Sequence, residues 1–148
     1  MIVSQVMTKE VVGLLPEENA LQALDKLLEM GISGLPVISP EGKLLGMFTE
    51  KEVIAKIFPS YLESVGGFQY DQDAKGLKQK IANFSGLAVK DVMRKDVICV
   101  EESTALYEAA HLMLTQKARR LPVLNKEKKI IGIISRGDVV KAIFSQYK

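Results

Sequence analysis

Apolar residues recur along this chain in two rhythms, and the switches between them outline the same order of elements twice. From Ala20 onward the apolar positions Ala20, Leu21, Leu24, Leu27 and Leu28 follow helical spacing. Asn19 stands where an N-cap belongs, and Gly31 where a helix stops. Two short apolar runs follow, Leu35-Pro36-Val37-Ile38 and Leu44-Leu45-Gly46-Met47-Phe48, on either side of the polar turn Pro40-Glu41-Gly42. They predict a pair of strands, and a second helix is predicted from Glu50. Ahead of the first helix the β-branched run Val11-Val12 predicts an opening strand. The order then returns. Val97-Ile98 predicts a strand, and a helix runs from about Thr104 to Gln116 with Leu106, Ala109, Ala110, Met113 and Leu114 turned inward. Strands Leu121-Pro122-Val123-Leu124 and Ile130-Ile131-Gly132-Ile133-Ile134 flank Lys126-Glu127-Lys128, and a last helix starts at Arg136.

Shifting the sequence against itself by 86 positions makes the recurrence explicit. Over 3–57 against 89–143 no gap is needed, and 15 of 55 pairs are identical. Met7 meets Met93, Leu35-Pro36-Val37 meets Leu121-Pro122-Val123, and Gly46 meets Gly132. Conservative pairs fall beside them: Val12 with Ile98, Thr49 with Ser135, Glu52 with Asp138. An internal repeat of this kind decides the fold. Each copy is a β-α-β-β-α unit whose sheet has an apolar face that must be covered. The expected fold is α/β of the α+β type: two such repeats, 1–57 and 89–148, packed together with pseudo-twofold symmetry. Residues 58–88 lie between them and hold five of the nine aromatics, Phe58, Tyr61, Phe68, Tyr70 and Phe84. Gly66-Gly67 and Asp71-Gln72-Asp73 read as loop, and Ala74 to Phe84 as a short helix carrying Lys75, Lys78 and Lys80. So long a connection calls for a purpose. It reads as a strap over the core; a lid over a ligand and a dimer contact are the alternatives.

The 148 residues suffice to bury a core. Twenty basic residues against 18 acidic ones leave a net charge of +2, no general pull toward nucleic acid or a membrane surface. The single cysteine, Cys99, cannot form an internal disulfide, and its apolar surroundings read as those of a small buried hydrophobe. The start of the chain lacks the basic and apolar regions of a signal peptide. No apolar run approaches the ~20 residues that cross a bilayer. A soluble cytoplasmic protein is expected.

Candidate chemistry concentrates where each second helix begins. Gly46-Met-Phe-Thr-Glu-Lys-Glu52 and Gly132-Ile-Ile-Ser-Arg-Gly-Asp138 each run from strand to hydroxyl residue to helix, with an acid three residues after the hydroxyl. That spacing is the capping box, in which Thr49 or Ser135 and Glu52 or Asp138 satisfy backbone N–H groups. The same geometry offers a helix start to an anion, and an acid there accepts hydrogen bonds from a vicinal diol. Gly137, in a first helical turn, costs ~1 kcal/mol relative to Ala, which suggests that something approaches closely. Before Pro122 stands Arg119-Arg120, and before Pro36 stands Ser33-Gly34. The arginines read equally as phosphate forks or as a solvated helix end. The only histidine, His111, sits on a helix without a nucleophile beside it. No Cys/His cluster, Ser-His-Asp set or Gly-rich phosphate loop is visible, so no enzyme and no metal site is expected.

Together these landmarks resemble the CBS (cystathionine-β-synthase-like) repeat: Val-Met, an Ala-bearing amphipathic helix, Leu-Pro-Val, Gly, then Ser or Thr and an acid. Two copies in register over about 110 residues are similar to a Bateman module. The resemblance implies a regulatory module with clefts for an adenosyl ligand, AMP, ADP, ATP or S-adenosylmethionine, the acid holding the ribose hydroxyls. The other repeat supplies first-strand backbone to the adenine edge, with side chains such as Val12 and Ile38 against its faces. One set then joins Ser135, Arg136 and Asp138 to Thr8, Val11, Val12, Ser33, Gly34 and Pro36, with Arg136 or Lys9 toward the phosphates. The other joins Thr49 and Glu52 to Val97, Ile98, Arg119, Arg120 and Pro122. Glu52 departs from the family's Asp, so the Asp138 set is expected to take the nucleoside. The resemblance also implies a homodimer formed through helices and an unidentified regulated protein partner. A ligand-free interaction module is the rival reading.

Overall fold

A computed structural model describes residues 1–58 and 74–147. The chain forms two compact units that do not follow sequence order. Unit A consists of Met1–Val12, Ile38–Leu44 and Asp96–Lys148, and unit B of Gly13–Val37 and Leu45–Lys95.

Unit B is built on helix α1 (Ala20–Met30), strands β1 (Gly34–Ile38) and β2 (Leu44–Thr49), and helices α2 (Glu50–Ile57), α3 (Ala74–Ser85) and α4 (Val89–Val92). β1 and β2 pair, and Leu14 adds a parallel bridge to Val37. Asn19 caps α1, its side chain accepting from the Gln22 N–H, and Gly31 ends it in the left-handed conformation. The core comprises Leu14, Ala20, Ala23, Leu27, Leu35, Val37, Phe48, Val53, Phe84, Val89 and Val92.

Unit A repeats the plan. It opens with a 3-10 turn (Val3–Gln5) and continues with β3 (Val100–Glu101), α5 (Leu106–Thr115), β4 (Arg120–Leu124), β5 (Ile130–Ser135) and α6 (Arg136–Ser145). β3 pairs parallel with β4 through Val100 and Val123, the positions equivalent to Leu14 and Val37. Its core holds Val3, Val100, Leu106, Ala109, Met113, Leu121, Val123, Ile134 and Val139.

The two opening segments show why each unit mixes distant parts of the chain. In unit A the Val3 N–H donates to Thr104 O at 2.8 Å, and the Leu106 N–H to Met1 O at 3.0 Å. In unit B the Val89 N–H donates to Glu18 O at 2.8 Å, and the Ala20 N–H to Leu87 O at 2.9 Å. These are the same two bonds, 86 residues apart. Val3 and Val89 are both fully buried.

The predicted hairpins and second helices stand where the sequence puts them. Three local readings need correction. Val11-Val12 and Val97-Ile98 are not strands; pairing starts three residues later, at Leu14 and Val100. A β-branched run favours extended backbone, but pairing follows the side chain that can be buried, and Leu14 and Val100 are buried while Val12 and Ile98 are exposed. Leu28 and Leu114 do not face inward; they are 61% and 76% exposed. The buried stripe is Ala20, Ala23 and Leu27, repeated as Leu106, Ala109 and Met113. Leu28 lies about 80° round the helix from Ala20, at the margin of that stripe. Cys99 is half-buried rather than buried. Burial, and secondarily the Glu101 charge, pushes its thiol pKa up, so it stays protonated.

The helix expected over 74–84 is present as α3, which packs on α1 and α2 and sends Phe84 into the core of unit B. The Lys80 ammonium sits 5.5 Å from the centre of the Phe58 ring. Tyr61, Gly66-Gly67, Phe68, Tyr70 and Asp71-Gln72-Asp73 lie outside the described residues. Among the described residues no helix is long and apolar enough to cross a membrane.

Candidate functional site

In unit A the end of β5 delivers Ser135 in extended conformation to the start of α6. Its Oγ accepts from the Asp138 N–H at 3.0 Å, and Asp138 Oδ2 accepts from the Ser135 N–H at 2.9 Å. The capping box is therefore real. It does not use the site up: among the described residues the second carboxylate oxygen of Asp138 and the Ser135 hydroxyl proton have no partner. The Arg136 N–H donates to Arg119 O at 3.0 Å, and Arg120 pairs with Ser135 across β4 and β5. Thr8 exchanges two backbone hydrogen bonds of 2.9 Å with Ile133, two residues before the cap. Thr8, Arg119, Arg120, Ser135, Arg136 and Asp138 thus share one unit.

Gly137 lies exposed on the first turn. A Cβ placed there would meet only Ser135 Oγ, at 3.6 Å, an ordinary contact. Neither packing nor a positive φ requires glycine at this position.

In unit B the equivalent helix start is closed more tightly. Thr49 Oγ1 accepts from the Glu52 N–H at 3.4 Å and donates its hydroxyl proton to Glu52 Oε2. Glu52 Oε1 faces the Arg94 guanidinium at 3.6 Å. The extra methylene turns the carboxylate toward Thr49 and Arg94 rather than back to the cap N–H, so the box seen at Ser135 is not completed here. The Glu50 N–H donates to Ser33 O at 2.9 Å, matching the Arg136–Arg119 bond. Gly34 has a packing reason: a Cβ there would come within 2.7 Å of the Thr49 γ-methyl. Ser33, Gly34, Thr49 and Glu52 share this unit.

Pro36 and Pro122 are buried within their strands, and Pro36 O accepts from the Leu14 N–H at 2.9 Å. Val11, Val12, Val97 and Ile98 lie outside any strand. Arg94 was missed from the sequence. The signal was available, since the 86-residue shift sets Arg94 opposite Thr8.

A helix start with a hydroxyl cap and an acid, on a β-hairpin crossed by the opening segment of a repeat, occurs once in each unit. This defines a tandem repeat rather than a single α/β domain, and the chain belongs to the CBS-domain family, whose model matches residues 3–59 and 89–145. It is 32% identical over 139 residues to the chloroplastic CBS domain-containing protein CBSX1 of Arabidopsis thaliana, covering 86% of this chain and 56% of that one. It is 31% identical over 137 residues to an inosine-5'-monophosphate dehydrogenase of Methanocaldococcus jannaschii, covering 93% of this chain but only 22% of the dehydrogenase. This chain thus spans about half of the plant relative and about a fifth of the archaeal one. Among solved structures it resembles CBSX2 in complex with AMP, with a TM-score of 0.75, 31% identity and coverage of 99% and 98% of the two chains. The CBS pair of protein MJ0100, in complex with 5'-methylthioadenosine and S-adenosyl-L-methionine, shares the fold at a TM-score of 0.66 and 18% identity.

Proposed function

We propose that this CBS pair is a regulatory module that binds an adenine nucleotide at the Ser135–Asp138 helix start and is not itself an enzyme. The observation that carries the reading is the capped α6 start, whose acid keeps one oxygen unpaired beside a glycine that the protein's own packing does not require. A ribose diol needs such an acceptor, and the missing Cβ leaves room for it. The ligand's phosphate is favoured at the positive end of the helix dipole, near the Gly137 N–H, with Arg136 beside it. Val11 and Val12 make no backbone hydrogen bond among the described residues, which leaves their backbone groups available to the adenine edge. Ser33, Gly34 and Pro36 belong to unit B and carry no part of this reading. The AMP complex of CBSX2, at 31% identity, supports an adenosyl ligand.

The proposed role is that of a sensor: a nucleotide that binds one conformation better than another shifts the population, and a partner protein reads the change. A reducing compartment, in which Cys99 remains a thiol, is the proposed setting. The test is a thermal-shift panel of AMP, ADP, ATP and S-adenosylmethionine on the wild type and on Asp138→Ala. At 100 times its Kd a ligand adds about 2.7 kcal/mol to stability, an upward shift of several degrees. AMP is expected to raise the wild-type Tm and to leave that of Asp138→Ala unchanged. A shift for S-adenosylmethionine alone replaces the ligand. No shift with any of the four favours the ligand-free interaction module.

A further inference from the structure

Resting on the nucleotide reading above, we infer that Arg94 closes the Glu52 helix start to a ribose, so that the chain holds one adenosyl ligand, at Asp138, although it carries two related helix starts. The two starts are built on the same scaffold. Arg94 and Met47 exchange backbone hydrogen bonds of 2.9 Å, as Thr8 and Ile133 do, so Arg94 and Thr8 occupy equivalent positions beside β2 and β5. What differs is the side chain presented to the acid. Arg94 places its guanidinium 3.6 Å from Glu52 Oε1, while the other carboxylate oxygen takes the Thr49 hydroxyl proton. Thr8 is short and uncharged, and Asp138 has no ion pair among the described residues.

A ribose donates two hydroxyl protons to one carboxylate. At Asp138 an oxygen is ready to receive one of them. At Glu52 both oxygens are engaged from within the unit, and the Glu52 side chain is only 14% exposed. A neutral diol would have to displace a cation from a largely desolvated carboxylate, an exchange of a charge-assisted contact for neutral hydrogen bonds. Arg94 is therefore a specificity-determining residue that acts by occupying the acid, and the repeats are functionally unequal because of it.

The test is calorimetric titration of the full chain with AMP. The wild type should bind one equivalent, Glu52→Ala should still bind one, and Asp138→Ala none. Arg94→Thr, which installs the residue already accommodated at position 8, should bind two, while Arg94→Lys should remain at one because the cation is kept. Cooperative melting of each variant checks that it is folded. Two equivalents on the wild type, or one or fewer on folded Arg94→Thr, overturn the inference and leave the nucleotide reading standing. A wild type that binds no adenosyl compound sinks the nucleotide reading and this inference with it.

Discussion

At position 34 a Cβ would come within 2.7 Å of the Thr49 γ-methyl and 3.1 Å of Phe48 O. The equivalent position in the other repeat is Arg120, and there the cap is Ser135, which has no γ-methyl. Glycine with threonine and arginine with serine are matched pairs. Gly34→Ala is expected to cost about 1–3 kcal/mol, as overpacking does, and Thr49→Ser to recover much of that loss when combined with it. Urea unfolding of the two single variants and the double variant measures the coupling; simple additivity counts against the pairing. Gly137 poses the opposite problem. With open space around it, Gly137→Ala is expected to stabilise the unliganded protein by up to about 1 kcal/mol while weakening AMP binding. If AMP affinity stays unchanged, the glycine does not serve the ligand.

Among the elements, the two hairpin turns show how a repeat tolerates different chemistry in one geometry. Gly42 and Lys128 are equivalent and both adopt positive φ, at 91° and 63°. A residue with a side chain strains there, at roughly 1–2 kcal/mol, partly offset by the larger entropy that glycine loses on folding. Lys128→Gly should therefore raise stability by about 1 kcal/mol or less, read as a higher urea midpoint with an unchanged slope. A lower midpoint means that the Lys128 side chain contributes more than its backbone strain costs. The hairpins also explain the one glycine that both repeats share. A Cβ on Gly46 would lie 2.6 Å from Arg94 O, and on Gly132 2.9 Å from Thr8 O. The strand has to be bare where the opening segment crosses it.

For the whole molecule, the unpaired apolar surface matters most. On α5 and α6, which pack together within unit A, Tyr107, Leu114 and Phe144 are 80%, 76% and 64% exposed. Scattered exposed apolar residues are ordinary, but several on two adjoining helices suit an association surface. The family resemblance proposes a second copy as the occupant. Sedimentation is then expected to give a dimer, with Leu114→Asp shifting it to monomer at unchanged secondary structure. A monomeric wild type, with and without AMP, removes the dimer from the proposal.

The repeated helix-hairpin-helix order, the hydroxyl caps and the acid at each helix start followed from the sequence alone, whereas the opening strands were misplaced and the turn Val3–Gln5 and helix Val89–Val92 were not foreseen. The features that followed depend on local spacing, on turn chemistry, and on a unit of about 55 residues that recurs at an offset of 86 positions. Tertiary structure decided which residues actually meet. Val11-Val12 looks like a strand, but only Leu14 finds a partner, because pairing needs a neighbour and not merely an extended backbone. Leu28 belongs to the apolar pattern of its helix, yet the contact face is narrower than that pattern. The difference between Asp138, with an oxygen to spare, and Glu52, held by Arg94, is invisible in a motif of hydroxyl and acid. It arises because folding brings residue 94 to residue 52 from 42 positions away, and ion pairing depends on distance in space rather than along the chain.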